Sequence, residues 1–359
     1  MKDWYPDEPA IYDVNKTYLE NAEMGPFFKG KIPKRPKIEK KIDFLGFKVN
    51  SPIGIPAGPL LNSKWIALAA KLGFDIVSYK TIRNYAHPAH ALPNVIFVKQ
   101  TGPHEAVRLD EPSEDLSQLT ITNSFGNPSR SPEYLIADIA KANASLGEGQ
   151  VMIVSIFGAP NQGISMVDDF VRTAVFAKEA GAKIIEANFS CPNVDKSEGC
   201  LYMSPETVFE YAKKISEAIR PIPLLIKVGV FSHPEQVKEV FFAAARGGVK
   251  GICGLNSVSM RVTNAKGEHP LGETRKTSGV TGGGIRSEAL HFIRKAAEII
   301  RKDKLDLLLI GCGGIMRPEH FTEFFNAGAD IAMAATGMMW DPFLALRYHE
   351  MVNHAHAYP

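Results

Sequence analysis

Short apolar runs alternate along this chain with stretches in which apolar residues recur every three to four positions. The runs at 53–57, 75–80, 151–157, 184–188, 224–228, 251–256, 307–311 and 331–335 are rich in Ile, Val and Leu. That is the pattern of strands buried on both faces, as in a parallel sheet. Helical periodicity fills the intervals at 63–72, 131–144, 166–180, 204–220, 233–246, 287–302 and 318–327. A last helix is predicted at 338–349. Ser131-Pro132-Glu133 and Ser204-Pro205-Glu206 place a capping serine before a proline at the first helical position, with an acid in the first turn. Gly181 and Gly328 stop helices just before a strand. Eight strand–helix units with short αβ turns predict a closed (β/α)8 TIM barrel of the α/β class; an open doubly wound sheet is the alternative.

Two connections, 81–130 and 257–281, are too long for plain turns. Both leave the C-terminal face of the expected barrel, so they are read as two long loops that act as lids or pocket walls. Residues 1–41 break the pattern. Acidic and aromatic residues come first, then a basic, proline-spaced stretch at 29–41. The reading is an arm on the barrel followed by a solvated linker, with a docking surface as the alternative. The division is thus 1–41 as an N-terminal extension and 42–359 as the barrel.

Polar residues punctuate the ends of the apolar runs, where strand ends of such a barrel share one mouth. Gly311-Cys312-Gly313-Gly314 and Thr336-Gly337 follow the last two strands, the positions where barrels bind phosphate through backbone N–H groups. The plainer reading is tight turns. The run 278–284, with Gly279, is a third glycine-rich stretch along the same ligand. Asn123, Asn127, Asn188, Asn193 and Asn256 supply paired donors and acceptors that suit a flat, imide-like ligand. Any one of them alone is better read as a turn residue. Lys80 and Lys227 end strands; lysines usually snorkel to solvent, but at a barrel mouth they can stabilise a developing anion. Schiff-base chemistry is the other option for Lys227. Cys191, beside Ser190, is either a buried structural thiol or a nucleophile or base. His87 and His90 flank Pro88 without an evident third ligand, and no metal site is expected.

Composition narrows the function. The chain has 359 residues, 45% hydrophobic and 22% charged, with a net charge of +2. That charge gives no argument for nucleic acid. No apolar run approaches the roughly 20 residues of a membrane span, and no secretory leader is visible. Four cysteines without a Cys-x-x-Cys pair encode neither a zinc knuckle nor an iron–sulfur cluster. They predict free thiols in the cytoplasm.

Several of these elements resemble one family. Ile55-Pro56-Ala57-Gly58-Pro59, Tyr79-Lys80-Thr81, Asn123-Ser124-Phe125-Gly126, Asn188-Phe189-Ser190-Cys191-Pro192-Asn193, Lys227, Asn256-Ser257, Gly313-Gly314 and Thr336 stand in the order and spacing of dihydroorotate dehydrogenases. The similarity runs over about 42–345. It implies an oxidoreductase of pyrimidine biosynthesis, a flavoprotein that oxidises dihydroorotate to orotate with FMN. By motif, Ala57, Gly58, Lys80, Lys227, Gly279, Gly313, Gly314 and Thr336 would hold FMN. Lys80, Asn123, Asn127, Asn188, Asn193, Asn256 and Ser257, with Phe125 and Gly126, would hold the pyrimidine. Cys191 would be the base, with Ser190 and Lys227 as the other catalytic residues; a cysteine base marks the soluble class 1 type. Ser129, Ser278 and Ala335 depart from the family pattern. The stretch from Asn256 to Val280 is also similar to the pyrimidine-reducing domain of dihydropyrimidine dehydrogenases, so a uracil- or thymine-directed flavoenzyme is the alternative function. A phosphate-binding barrel without redox chemistry is a third. The electron acceptor stays open among fumarate, quinone and NAD through an iron–sulfur flavoprotein partner, as does a homodimer.

Overall fold

The computed structural model of the chain describes residues 10–35, 41–160, 163–190, 200–233 and 235–357, with side chains to 353. Eight parallel strands close into a barrel. They are β1 (Ile53–Ile55), β2 (Ile76–Ile82), β3 (Val151–Ile156), β4 (Ile184–Asn188), β5 (Leu224–Lys227), β6 (Val249–Gly254), β7 (Leu308–Cys312) and β8 (Ile331–Met333). Each pairs with the next in sequence, and β8 returns to β1 with Ala332 opposite Ile53. The ring, not the open sheet, is therefore the architecture. Nearly every strand residue is buried, because helices cover the outside and side chains fill the inside.

Inside the barrel, residues two apart on a strand share a face. Val151 and Ile153 of β3, Ile184 of β4, Leu225 of β5 and Ile310 of β7 make an apolar lower layer. Phe44 and Val49 join it from the hairpin Ile42–Phe44/Phe47–Val49. This hairpin plugs the N-terminal end of the barrel. Two positions further along the same strands the side chains become polar: Ser155, Glu186, Lys227 and Cys312, with Cys253 of β6 beside them. The alternation that built the apolar floor thus lifts a polar layer toward the opposite end.

The helices follow their caps. Ser131 and Ser204 accept the N–H of Tyr134 and Thr207, with Pro132 and Pro205 opening Pro132–Ala144 and Pro205–Ile219. Gly328 ends Pro318–Ala327 in the left-handed region, at φ 109°. The last helix departs from expectation. It is two helices, Thr336–Trp340 and Leu344–Ala357. Pro342 removes an N–H and disfavours helical geometry for Asp341, which sits at φ −117° and ψ 85°. Asp341 then accepts the Phe343 N–H and pairs with Arg347 at 2.6 Å.

The two long connections also differ from the expected loops. They carry the strands Val98–Gly102, Glu105–Arg108, Thr120–Thr122, Val258–Thr263 and Thr277–Gly282, which form one five-stranded sheet. Its core of Val98, Ala106, Val258, Met260, Val262 and Val280 is separate from the barrel's. The glycine-rich run at 278–284 therefore begins as a strand. The described part of the first segment, residues 10–35, packs against the barrel. A short helix, Tyr18–Met24, opens with a Thr17–Glu20 capping box, and Ile11, Tyr12, Tyr18 and Ala22 bury themselves against the barrel core. The basic stretch after it is not wholly solvated. Arg35 makes a bidentate pair with the buried Asp75, both contacts at 2.6 Å.

Candidate active site

A cavity with about 1060 Å³ of open space lies at the C-terminal end of the barrel. It has the position of a cofactor-and-substrate pocket. The strand ends deliver its polar side chains. Lys80 comes from β2, Asn188 from β4 and Lys227 from β5; Asn256 and Ser257 follow β6. Ala57 and Gly58 follow β1, Gly313 follows β7 and Thr336 follows β8. From the first long connection come Asn123, Phe125 and Asn127.

Hydrogen bonds fix these groups relative to one another. Asn256 donates to Asn188 Oδ1 at 3.2 Å and to the Ser190 carbonyl at 2.6 Å. Ser190 Oγ donates to the Lys227 carbonyl at 3.1 Å. The ends of β4, β5 and β6 are thereby stitched together just before Cys191. Asn123 donates to Ser257 Oγ at 3.2 Å, which joins the two long connections across the mouth. Lys80 Nζ approaches Asn127 Oδ1 at 3.5 Å. Asn127 holds a left-handed backbone, φ 54°, and its buried Nδ2 has no hydrogen-bond partner among the described residues.

Lys227 is 3% exposed. Burial works against its charge. The Glu186 carboxylate and, after it, the Cys253 and Cys312 thiols outweigh that cost, so the ammonium is held above its ordinary pKa. Cys253 and Cys312 touch at 3.8 Å. The hydrogen bond with Cys312 and complete burial push the Cys253 thiol well above its usual range, while the same hydrogen bond pulls Cys312 down.

Some expected residues stand elsewhere. Gly126, Ser190, Gly279 and Gly314 do not line the cavity. A side chain at Gly126 would meet His90, and one at Gly314 would meet Arg286. The Gly279 carbonyl accepts the Asn123 N–H at 2.8 Å, so this residue supports the wall from behind. Cys191 and Asn193 lie outside the described residues. The helix opened by Thr336 has five residues, too short to bring much dipole to an anion. Thr336 contributes its hydroxyl instead, 3.2 Å from that of Thr281. Sequence reading missed Tyr12 and Tyr18, which carry the arm into the cavity wall. The signal was available, because aromatics at these positions stand among acidic neighbours that could not bury themselves. Among the described residues, no group of three or more His, Cys, Asp and Glu side chains could hold a metal ion.

Residues 40–354 match the family model for dihydroorotate dehydrogenase. The chain belongs to the dihydroorotate dehydrogenase family. It is 46% identical over 362 residues to the dihydroorotate dehydrogenase of Dictyostelium discoideum, covering 96% of this chain and 98% of that protein. It is 29% identical to a dihydroorotate dehydrogenase A (fumarate) of Limosilactobacillus reuteri, over 49% of this chain and 54% of that one. With the catalytic subunit of a dihydroorotate dehydrogenase B (NAD(+)) of Bacteroides thetaiotaomicron it shares 24%, over 72% and 80%. Among solved structures, the Eimeria tenella dihydroorotate dehydrogenase in complex with ferulenol superposes with a TM-score of 0.71 at 17% identity, covering 90% of this chain and 88% of that one. That likeness shows the fold. As a member of this family the chain is a flavin-dependent oxidoreductase, which sets aside the non-redox barrel. No helix among the described residues is long and apolar enough to cross a membrane.

Proposed function

We propose that the cavity holds FMN and dihydroorotate together, and that this chain oxidises dihydroorotate to orotate as a cysteine-base, class 1 type enzyme. The observation that carries this reading is the convergence of Lys80, Lys227 and four asparagines on one cavity. The residues present fit the cofactor. A Cβ added at Gly58 would meet no atom within 4 Å, so the backbone there borders open space. Gly313, at φ 116°, presents bare backbone beside Thr336, where a phosphate would sit. FMN held there would supply a hydride acceptor for the substrate.

The chain's own residues supply the rest. Lys227 keeps a fixed positive charge at the cavity floor, where it favours the anionic reduced cofactor. Asn123, Asn127, Asn188, Asn193 and Asn256, with Ser257, Lys80 and the Phe125–Gly126 backbone, hold the flat ring of the substrate. Gly279 and Gly314 support the cofactor side from behind the wall. Cys191 takes the ring proton, and Ser190 anchors the backbone that precedes it. The extension, 1–41, borders the cavity through Tyr12 and Tyr18, the barrel, 42–359, carries the rest of the site, and the protein works in the cytoplasm.

Titration with orotate tests the reading. A purified, yellow protein whose flavin absorption shifts with orotate, at one flavin per chain, supports it. Bleaching by dihydrouracil, with no response to orotate or dihydroorotate, would replace the substrate.

A further inference from the structure

We infer that Glu186 is a positioning residue: from beneath the cavity floor its carboxylate keeps Lys227 charged and so fixes the proton count of the site. This rests on the reading of the cavity as a flavin site, and it adds a residue that the family motifs quoted above do not include.

Glu186 lies on β4 inside the barrel, between Ile184 of the apolar layer and Asn188 of the cavity wall, and it is 1% exposed. A bare carboxylate at such a depth costs several kcal/mol unless it is hydrogen-bonded and paired with a charge. Ser155 Oγ on β3 donates to it at 3.0 Å, and Thr81 Oγ1 on β2 donates to Ser155 at 3.1 Å. The carboxylate is thus oriented by a chain of neutral donors from two neighbouring strands. The charge comes from the other side. On β5, Leu225 is the register partner of Glu186 and Lys227 that of Asn188, so the lysine stands one level above the acid. Other titratable groups near Lys227 are Cys253 on β6 and Cys312 on β7. Lys80 of β2 lines the same cavity. Of these only Glu186 is a carboxyl group, and it is the strongest influence favouring the ammonium.

Without that charge the largest influence favouring the ammonium is gone, and burial drives Lys227 toward the neutral amine. The enzyme would then have to take up a second proton each time its flavin becomes anionic. With Glu186 in place the lysine is already charged, and reduction brings in two electrons and one proton.

Two measurements test this on the full chain, comparing wild type with E186Q, which keeps the size and the Ser155 contact. The first needs no flavin. Cyanate carbamylates neutral amines, so at pH 8 the rate at Lys227, read by mass spectrometry, should rise at least about tenfold in E186Q while other lysines keep their rates. Equal rates at Lys227 overturn the inference, whether or not the protein holds a flavin. The second is the flavin midpoint potential against pH. Above pH 7 wild type should fall by about 30 mV per pH unit, one proton for two electrons, and E186Q by about twice that. The wild-type slope stands alone as a test should E186Q not accumulate: a two-proton slope there contradicts a permanently charged Lys227. Equal slopes in a flavin-bearing pair overturn the role of Glu186 and leave the FMN reading intact, whereas a protein without affinity for FMN overturns that reading alone.

Discussion

The two ends of the barrel interior are built by the same strands and do opposite work. At the N-terminal end, Ile184, Leu225 and Ile310 pack with Phe44 and Val49 of the plugging hairpin into an apolar layer. Two residues later, Glu186, Lys227 and Cys312 replace them. The lower layer repays burial through apolar area and close packing. The upper layer is tolerable only because its charges and hydrogen bonds are mutually satisfied. A fold can therefore place chemistry at one end of a core whose stability comes from the other.

Substitutions in the two layers should separate activity from stability. Lys227→Met should give the largest loss of function, about 10²–10³-fold in kcat, since it removes a fixed charge from the cavity floor. Steady-state assay with circular dichroism as a folding control reads it; a variant within threefold of wild type would remove Lys227 from the reaction. Cys191→Ser should lower turnover by at least about 10²-fold and move the pH optimum upward, because serine is the weaker acid. An unchanged profile would dismiss Cys191 as the base. Phe44→Ala, in the lower layer, should destabilise the protein by about 3–5 kcal/mol in urea titration and leave the activity of folded molecules unchanged. Lost activity at full stability would break the division between the layers.

The smallest effect concerns a buried acid outside both layers. Burial pushes Asp341 up to about 6, against the pull of Arg347. The folded state thus holds this proton more tightly than the unfolded chain. The stabilisation is complete below the usual carboxylate pKa and is lost as pH rises through about 6, with a slope of at most about 1.4 kcal/mol per pH unit. Asp341→Asn should flatten stability against pH between 4 and 6. An identical slope in both proteins would assign the dependence elsewhere.

The barrel was legible because strands buried on both faces leave continuous apolar runs, and because Ser-Pro-Glu starts and glycine stops bracket the helices. Lys80, Asn188, Lys227 and Asn256, which line the cavity, were legible because they interrupt apolarity at strand ends. The cap sheet was not. Its pairing joins 105–107 to 261–263 and 120–122 to 280–282, partners too distant in sequence for any local period to reveal. Pro342 inside the last helical stretch did carry the signal for a break. Glu186 was hidden in the run 184–188, where one acid among apolar residues reads as an interruption and not as a buried counter-charge. Tyr12 and Tyr18 were passed over because the arm's partners lie across the fold, at Trp65 and Phe125.

The most direct test is anaerobic addition of dihydroorotate to the purified protein. The flavin band should bleach as one orotate forms per bound FMN, and Lys227→Met should slow that bleaching without abolishing flavin binding. A protein that carries no flavin, or a flavin that stays oxidised under excess dihydroorotate, would contradict the account.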